Sequence, residues 1–148
     1  MTPFDTALRV QRREVDAVKV SISVEVERIT TLETQTRTHD ARMLQERALA
    51  NSLPIASDAW TARMKAERAL LDEAAYLAQA RLERLRAQAV EAYGTMRAIE
   101  GAAERYEDDA ERTVALAEQA ASDDISAARF LRARAITRRR SAWTPSRH

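Results

Sequence analysis

Residues 60–99 read WTARMKAERALLDEAAYLAQARLERLRAQAVEAYGTMRAI, and this stretch decides the fold. Every seventh position forms a row without any charged residue: Met64, Leu71, Ala78, Leu85, Ala92 and Ile99. The row then continues through Tyr106, Thr113, Ala120 and Ala127. A seven-residue apolar repeat is typical of a helix that packs one face on another helix. The sequence therefore predicts a long second helix, about residues 58–136.

A second repeat of this kind precedes it. One row contains Leu8, Val15, Ile22, Ile29, Thr36 and Met43, and a complementary row contains Gln11, Val18, Glu25, Leu32 and His39. Three polar members make the complementary row imperfect, so we expect only weak supercoiling. These rows predict a first helix at about residues 5–49.

A turn is predicted between the two helices, at residues 50–57. Pro54 cannot lie in a helix interior, and Ser57 or Asp58 can cap the next helix. Residues 137–148 are predicted to form a basic tail. The whole chain, 1–148, is expected to be a single coiled-coil domain.

The predicted fold class is all-α, with two long helices in an antiparallel coiled-coil hairpin and a second helix that is longer and overhangs. One register pairs four sets of apolar residues: Met43 with Trp60, Leu32 with Leu71, Ile29 with Ala74, and Val18 with Leu85. In that register the N-terminal end of the first helix lies opposite the residues just before Gly101. The alternative architecture breaks the second helix at Gly94 or Gly101 and folds the remainder back as a third helix.

The composition argues against catalysis. The chain has no cysteine and only two glycines, and its only histidines are His39 and His148. These residues do not supply a metal site, a phosphate-binding loop or an activated nucleophile. We expect no enzyme activity, no cofactor, no metal and no small-molecule ligand. We also see no apolar run that resembles a signal peptide or membrane span, so a cytoplasmic protein is expected.

The charge changes sign along the second helix. Residues 100–124 are rich in Asp and Glu, whereas residues 129–147 contain seven arginines and no acid. The arginines can bind phosphates, or they can simply suit a helix C-terminus and keep it in solution. With a net charge of +1 for the chain, no nucleic-acid partner is expected. Phe130 and Leu131 lie on an apolar stripe that the first helix does not reach, and such a stripe favours binding to another protein.

The start of the chain carries a family resemblance. Phe4 and Leu8 are followed by Arg12, Arg13 and Glu14, and the later Asp123, Asp124 and Arg129 form an acidic and then basic segment on the longer second helix. In these residues, in chain length and in the position of the turn, the chain resembles the FliJ family of bacterial flagellar export proteins.

This resemblance implies a non-enzymatic component of the flagellar type III protein export apparatus. The hairpin would act as the stalk of the export ATPase ring and as an escort for export chaperones during flagellum assembly. Its partners would be the export ATPase, the export gate membrane protein and export chaperones, with the protein peripheral at the inner face of the cell membrane when bound. The candidate partner-binding residues are Phe4, Leu8, Arg12, Arg13, Phe130, Leu131, Arg132 and Arg134.

Three other functions fit the same pattern. The chain could be the stalk protein of a virulence-type secretion system, which would differ mainly in its ATPase. It could be a generic dimeric coiled-coil scaffold or phage structural protein, or a nucleic-acid accessory protein that contacts phosphates through its arginines.

Overall fold

Two long helices form the structure. The computed structural model describes residues 2–52 and 58–143, and within them lie α1, Asp5–Ser52, and α2, Asp58–Ala142, packed against each other. The prediction of an all-helical chain with two long helices is confirmed for these residues. Of the predicted turn at residues 50–57, residues 50–52 are instead helical and belong to α1, and residues 53–57, including Pro54 and Ser57, lie outside the described part.

The face that α1 turns toward α2 follows the predicted seven-residue repeat. From Leu8 to Ala50, every α1 residue that is not exposed belongs to one of two rows. The first row contains Leu8, Val15, Ile22, Ile29, Thr36, Met43 and Ala50, and the second contains Gln11, Val18, Glu25, Leu32, His39 and Glu46. Alternating steps of three and four residues keep both rows on one side of the helix. We call the packed rows of the two helices the seam.

The matching face of α2 combines alanines with large apolar residues. Its first row contains Met64, Leu71, Ala78, Leu85, Ala92 and Ile99, and its second contains Thr61, Arg68, Ala75, Leu82, Ala89, Met96 and Ala103. All of these side chains are buried or half-buried, and Ala78 is 0% exposed. The alanines leave room for close packing, and the leucine, isoleucine and methionine side chains supply most of the apolar surface.

Three polar residues of α1 reach α2 from within the seam. Gln11 Nε2 donates a hydrogen bond of 3.0 Å to the Ala92 carbonyl oxygen. Glu25, which is buried, accepts a hydrogen bond of 3.1 Å from Arg81 Nε. Further along, His39 Nε2 lies 3.7 Å from a carboxylate oxygen of Glu67. These contacts, which we call the polar layers, recur every second heptad of α1.

The polar layers report the register of the seam. As residue number rises along α1 through the three layers, it falls along α2. Gln11 opposite Ala92 falls in the predicted register, because the predicted pair of Val18 and Leu85 lies one heptad later on α1 and one heptad earlier on α2. The contacts of Glu25 and His39 depart from that register by less than one turn, about 3.6 residues, a distance that long side chains span.

Helix α2 runs without a break through Gly94 and Gly101 and ends at Ala142. The alternative with a third helix folded back at a glycine is therefore not observed. The helix also continues beyond its predicted end near Ile136, so residues 137–142 are helical rather than a tail. Arginine is a good helix former, and Arg139 and Arg140 in the last turn interact favourably with the helix dipole.

The chain divides into two compact units, Phe4–Glu100 and Met1–Pro3 with Gly101–His148. The first unit contains the polar layers and most of the seam. In the second unit, buried positions end at Ala103, and every residue from 104 to 143 is exposed. We call residues 104–143 the exposed segment of α2.

Replacing Gly94 by Ala should raise the free energy of unfolding by about 1 kcal/mol, since glycine in a helix interior costs about that much relative to alanine. An added Cβ meets no atom within 4 Å, and the residue has no positive φ that would strain it. Urea unfolding followed by circular dichroism measures the change. A lower midpoint for Gly94→Ala would contradict the continuous helix.

Replacing Glu25 by Ala should lower the free energy of unfolding by about 2 kcal/mol, because it removes the buried carboxylate and leaves Arg81 without this hydrogen-bond acceptor. The matched control is Glu83→Ala, which removes a 3.2 Å ion pair to Arg86 between two exposed side chains. That change should stay within about 0.5 kcal/mol. Equal losses in the two variants would show that the Glu25 layer contributes no more than a surface pair.

Candidate partner-binding surfaces

The first group of predicted partner-binding residues lies at the start of α1. Phe4 and Leu8 are half-buried, and the Leu8 N–H donates a 2.9 Å hydrogen bond to the Phe4 carbonyl oxygen. Arg12 follows one turn later, and its guanidinium lies 3.9 Å from a Glu100 carboxylate oxygen, the latter at the end of the same unit. Phe4, Leu8 and Arg12 are spaced four residues apart and therefore share one side of the helix.

Arg13 differs from these three residues. It is exposed and lies about 100° around the helix from Arg12. A partner that contacts Phe4, Leu8 and Arg12 on one side of α1 therefore does not contact Arg13 through the same surface. Leu8, through the seam, and the exposed Arg12, through its contact with Glu100, already have roles within the unit Phe4–Glu100.

The second group lies in the exposed segment of α2. Phe130 and Leu131 are 64% and 63% exposed, and Arg132 and Arg134 are exposed as well. At about 100° per residue, Phe130, Leu131 and Arg134 fall on one half of the helix circumference, whereas Arg132 falls on the other. Phe130, Leu131 and Arg134 thus form one surface, and Arg132 lies on a different face. Large exposed apolar side chains next to arginine are a common composition of protein interfaces.

The exposed segment carries mainly local charge contacts. Arg112 lies 3.5 Å from Asp109, and Gln119 Nε2 donates a 2.9 Å hydrogen bond to Asp123. Pairs of this kind at solvent-exposed positions contribute little stability. Its acidic and basic side chains are therefore available to a partner at small cost.

The polar layer at His39 is the densest group of ionisable side chains in the seam. The His39 ring is buried; its Nδ1 lies 3.7 Å from an Asp40 carboxylate oxygen, and Arg68 Nε lies 3.3 Å from the same oxygen. Neither ring nitrogen has a hydrogen-bond partner, because 3.7 Å exceeds hydrogen-bond length. In the seven-residue pattern His39 is one of three polar interruptions. The sequence signal that these form a series is their even spacing, 14 residues from Gln11 to Glu25 and 14 from Glu25 to His39.

A groove beside this layer, about 300 Å³ in volume, is lined by Thr34, Gln35, Thr38, His39, Arg42 and Leu71. Within residues 2–52 and 58–143, no three His, Cys, Asp or Glu side chains are placed to hold a metal ion together. We therefore interpret the His39 layer as a contact that helps to set the register of the seam.

The two tryptophans have different surroundings. Trp60 is half-buried near the start of α2, at the position predicted to face Met43, which is also half-buried. Trp143 follows the last residue of α2 and is 85% exposed. Trp143 is thus available for contact with another molecule.

Across the described part of the chain, neither helix contains a stretch apolar enough to span a bilayer. No protein-family model, curated protein or solved structure matches this chain. We therefore infer function from the helices, their seam and their exposed side chains.

Replacing Phe130 and Leu131 by Ser should change the free energy of unfolding by less than about 0.5 kcal/mol per site, since neither side chain is packed in the free protein. The control is Leu82→Ala in the seam. Leu82 is 4% exposed, and its truncation should cost about 2–4 kcal/mol. Chemical denaturation of the three variants measures both effects, and a cost at Phe130 as large as that at Leu82 would mean that the exposed segment is packed in solution.

Proposed function

We propose that this chain is a non-enzymatic coiled-coil component of the bacterial flagellar type III protein export apparatus, where it acts as the stalk of the export ATPase and escorts export chaperones. The observation that carries the proposal is the contrast along α2. One part is packed in a heptad seam, and the other, residues 104–143, exposes every side chain. A helix with exposed phenylalanine, leucine and arginine side chains is suited to binding by another protein.

The packed unit, in this proposal, is an antiparallel coiled-coil hairpin. The opposite order of the polar layers on the two helices supports that orientation. The resemblance to the FliJ family at Phe4, Leu8, Arg12 and Arg13 supports the same arrangement.

A stalk needs stiffness and a specific surface rather than a catalytic group. The seam supplies stiffness, because its rows continue without interruption from Leu8 to Ala50 and from Thr61 to Ala103. Two separate groups are the candidate surfaces, Phe130, Leu131, Arg132 and Arg134 in one unit and Phe4, Leu8, Arg12 and Arg13 in the other, each with one arginine on a different face of its helix. Inserted in an ATPase ring, such a hairpin promotes ring assembly and couples ATP hydrolysis to unloading of export substrates.

The same surfaces serve the other proposed partners. Export chaperones and the export gate membrane protein would bind the exposed segment, and contact with the gate would hold the protein at the inner face of the cell membrane. A virulence-type secretion system offers an equivalent ATPase, and the hairpin alone does not favour either system.

The proposal predicts that the purified chain binds the flagellar export ATPase of the same organism and raises its rate of ATP hydrolysis. Replacing Phe130 and Leu131 by Ser should weaken that binding at least about tenfold, because exposed apolar anchors contribute much of the energy of an interface. Co-elution and a steady-state ATPase assay measure the two effects.

The matched control replaces two other exposed apolar residues of α2, Leu70 and Val90, by Ser. These side chains are 65% and 75% exposed but lie in the unit Phe4–Glu100. The control should bind as the unaltered chain does. No binding to a demonstrably active flagellar ATPase, together with binding to a virulence-type ATPase, would assign the stalk to the second system, and no binding to either would refute the stalk.

A further inference from the structure

One row of the exposed segment has an ordered change of charge. At seven-residue spacing it contains Glu104, Glu111, Glu118, Ile125, Arg132 and Arg139, and all six side chains are exposed. Three acids are followed by one apolar residue and then by two arginines. Because the spacing is one heptad, these side chains lie along one side of α2.

An apolar face runs directly beside this charged row. It contains Val114, Ala117, Ala121, Ala128, Leu131 and Ala135, with Asp124 as a polar residue near its middle. The steps of three and four residues, such as Val114 to Ala117 to Ala121, are those of a coiled-coil seam. Val114 is 57% exposed, Ile125 54% and Leu131 63%, so the free chain leaves this face open to water.

The charged row is complementary to itself when it is reversed. About Ile125 as the centre, Glu118 lies as far on one side as Arg132 on the other, and Glu111 corresponds in the same way to Arg139. Two copies aligned in opposite directions would therefore pair each glutamate with an arginine. Two copies in the same direction would instead place this row beside the partner's row of Tyr106, Thr113, Ala120, Ala127 and Arg134, which offers no opposite charge to any of its members.

We propose that the exposed segment of α2 binds a second copy of this chain in an antiparallel, two-fold symmetric helix pair centred on Ile125. The apolar face forms the buried part of the contact. Glu111 and Glu118 of each copy pair with Arg139 and Arg132 of the other. A symmetric interface uses the same patch on both copies, which explains why one row carries both signs of charge.

This pairing does not depend on the proposed export function, although it covers Leu131 and Arg132. It is measured on the purified chain alone. A failure to pair leaves the ATPase experiment unaffected, and a failure to bind the ATPase leaves the pairing unaffected.

The first experiment uses the full chain and measures molar mass by sedimentation equilibrium over a range of concentrations in low salt. The mass should rise from the 16.7 kDa of one chain to twice that value. Added salt should weaken the pair, because exposed charges are screened. A single-chain mass at all concentrations would overturn the proposal.

Charge reversal tests the pairing itself. The variant Glu111→Arg with Glu118→Arg, and separately the variant Arg132→Glu with Arg139→Glu, should each weaken pairing at least about tenfold, a change of about 1.4 kcal/mol. Mixing the two variants should restore a heterodimer, and combining all four substitutions in one chain should restore the homodimer. Unchanged masses in both variants, or no restoration on mixing, would overturn the assignment of the charged row.

A matched control reverses two acids on the opposite side of the helix, with Asp109→Arg and Asp123→Arg. It changes the net charge as much as the double glutamate variant does, and both residues are exposed. The control should pair as the unaltered chain does. Equal weakening by this control would attribute the effect to net charge and overturn the specific contact.

Direction is tested by disulfide formation, since the chain has no cysteine of its own. Ile125→Cys lies on the two-fold axis and should form a disulfide between copies under mild oxidation. Glu111→Cys alone should not, but it should link to Arg139→Cys when the two variants are mixed, because a disulfide requires Cα atoms within about 7 Å. Efficient self-linkage of Glu111→Cys would overturn the antiparallel register centred on Ile125.

Discussion

The seam between α1 and α2 is the contact on which the rest of the structure depends. Neither helix has enough apolar surface to be stable alone, since isolated helices in water gain stability mainly when an apolar face is packed. The α2 side of the seam combines alanines, of which Ala78 is completely buried, with leucine, isoleucine and methionine side chains, so stability comes from close packing along many heptads. A seam of this kind is uniform, and uniformity leaves its register weakly specified by apolar contacts alone. The polar layers at Gln11, Glu25 and His39 specify the register of the two helices, because a buried polar residue tolerates few partners.

Much of this fold could be predicted from the sequence because a seven-residue period is a direct physical signal. The rows that begin at Leu8 and Met64 are the buried rows of the structure, and the position of Gln11 opposite Ala92 falls in the predicted register. The end of α2 was harder to place. Residues 137–142 carry a high positive charge, which suggested a tail, but arginine favours helix and its charge suits a helix C-terminus.

The candidate surfaces were only partly accessible to the same reasoning. The high exposure of Phe130 and Leu131 agrees with the prediction that their apolar stripe is left unpacked. The contacts of Arg12 with Glu100 and of Glu25 with Arg81 required coordinates, because they depend on where long side chains end rather than on which row they leave. Periodicity locates a residue on a face of a helix, but it does not reveal which polar atom a flexible side chain reaches.

The regular spacing of the polar layers limits how the length of this chain can change. If α1 moved by two heptads in one direction, Glu25 would take the place of His39 and lie opposite Glu67, another acid. If α1 moved by two heptads in the other direction, Glu25 would take the place of Gln11. Its carboxylate would then face the Ala92 carbonyl oxygen, and both groups are hydrogen-bond acceptors. An insertion or deletion within one helix therefore conserves the seam only if the other helix gains or loses the same number of heptads. Changes in the length of the two packed helices are thus expected to occur as matched pairs of equal size.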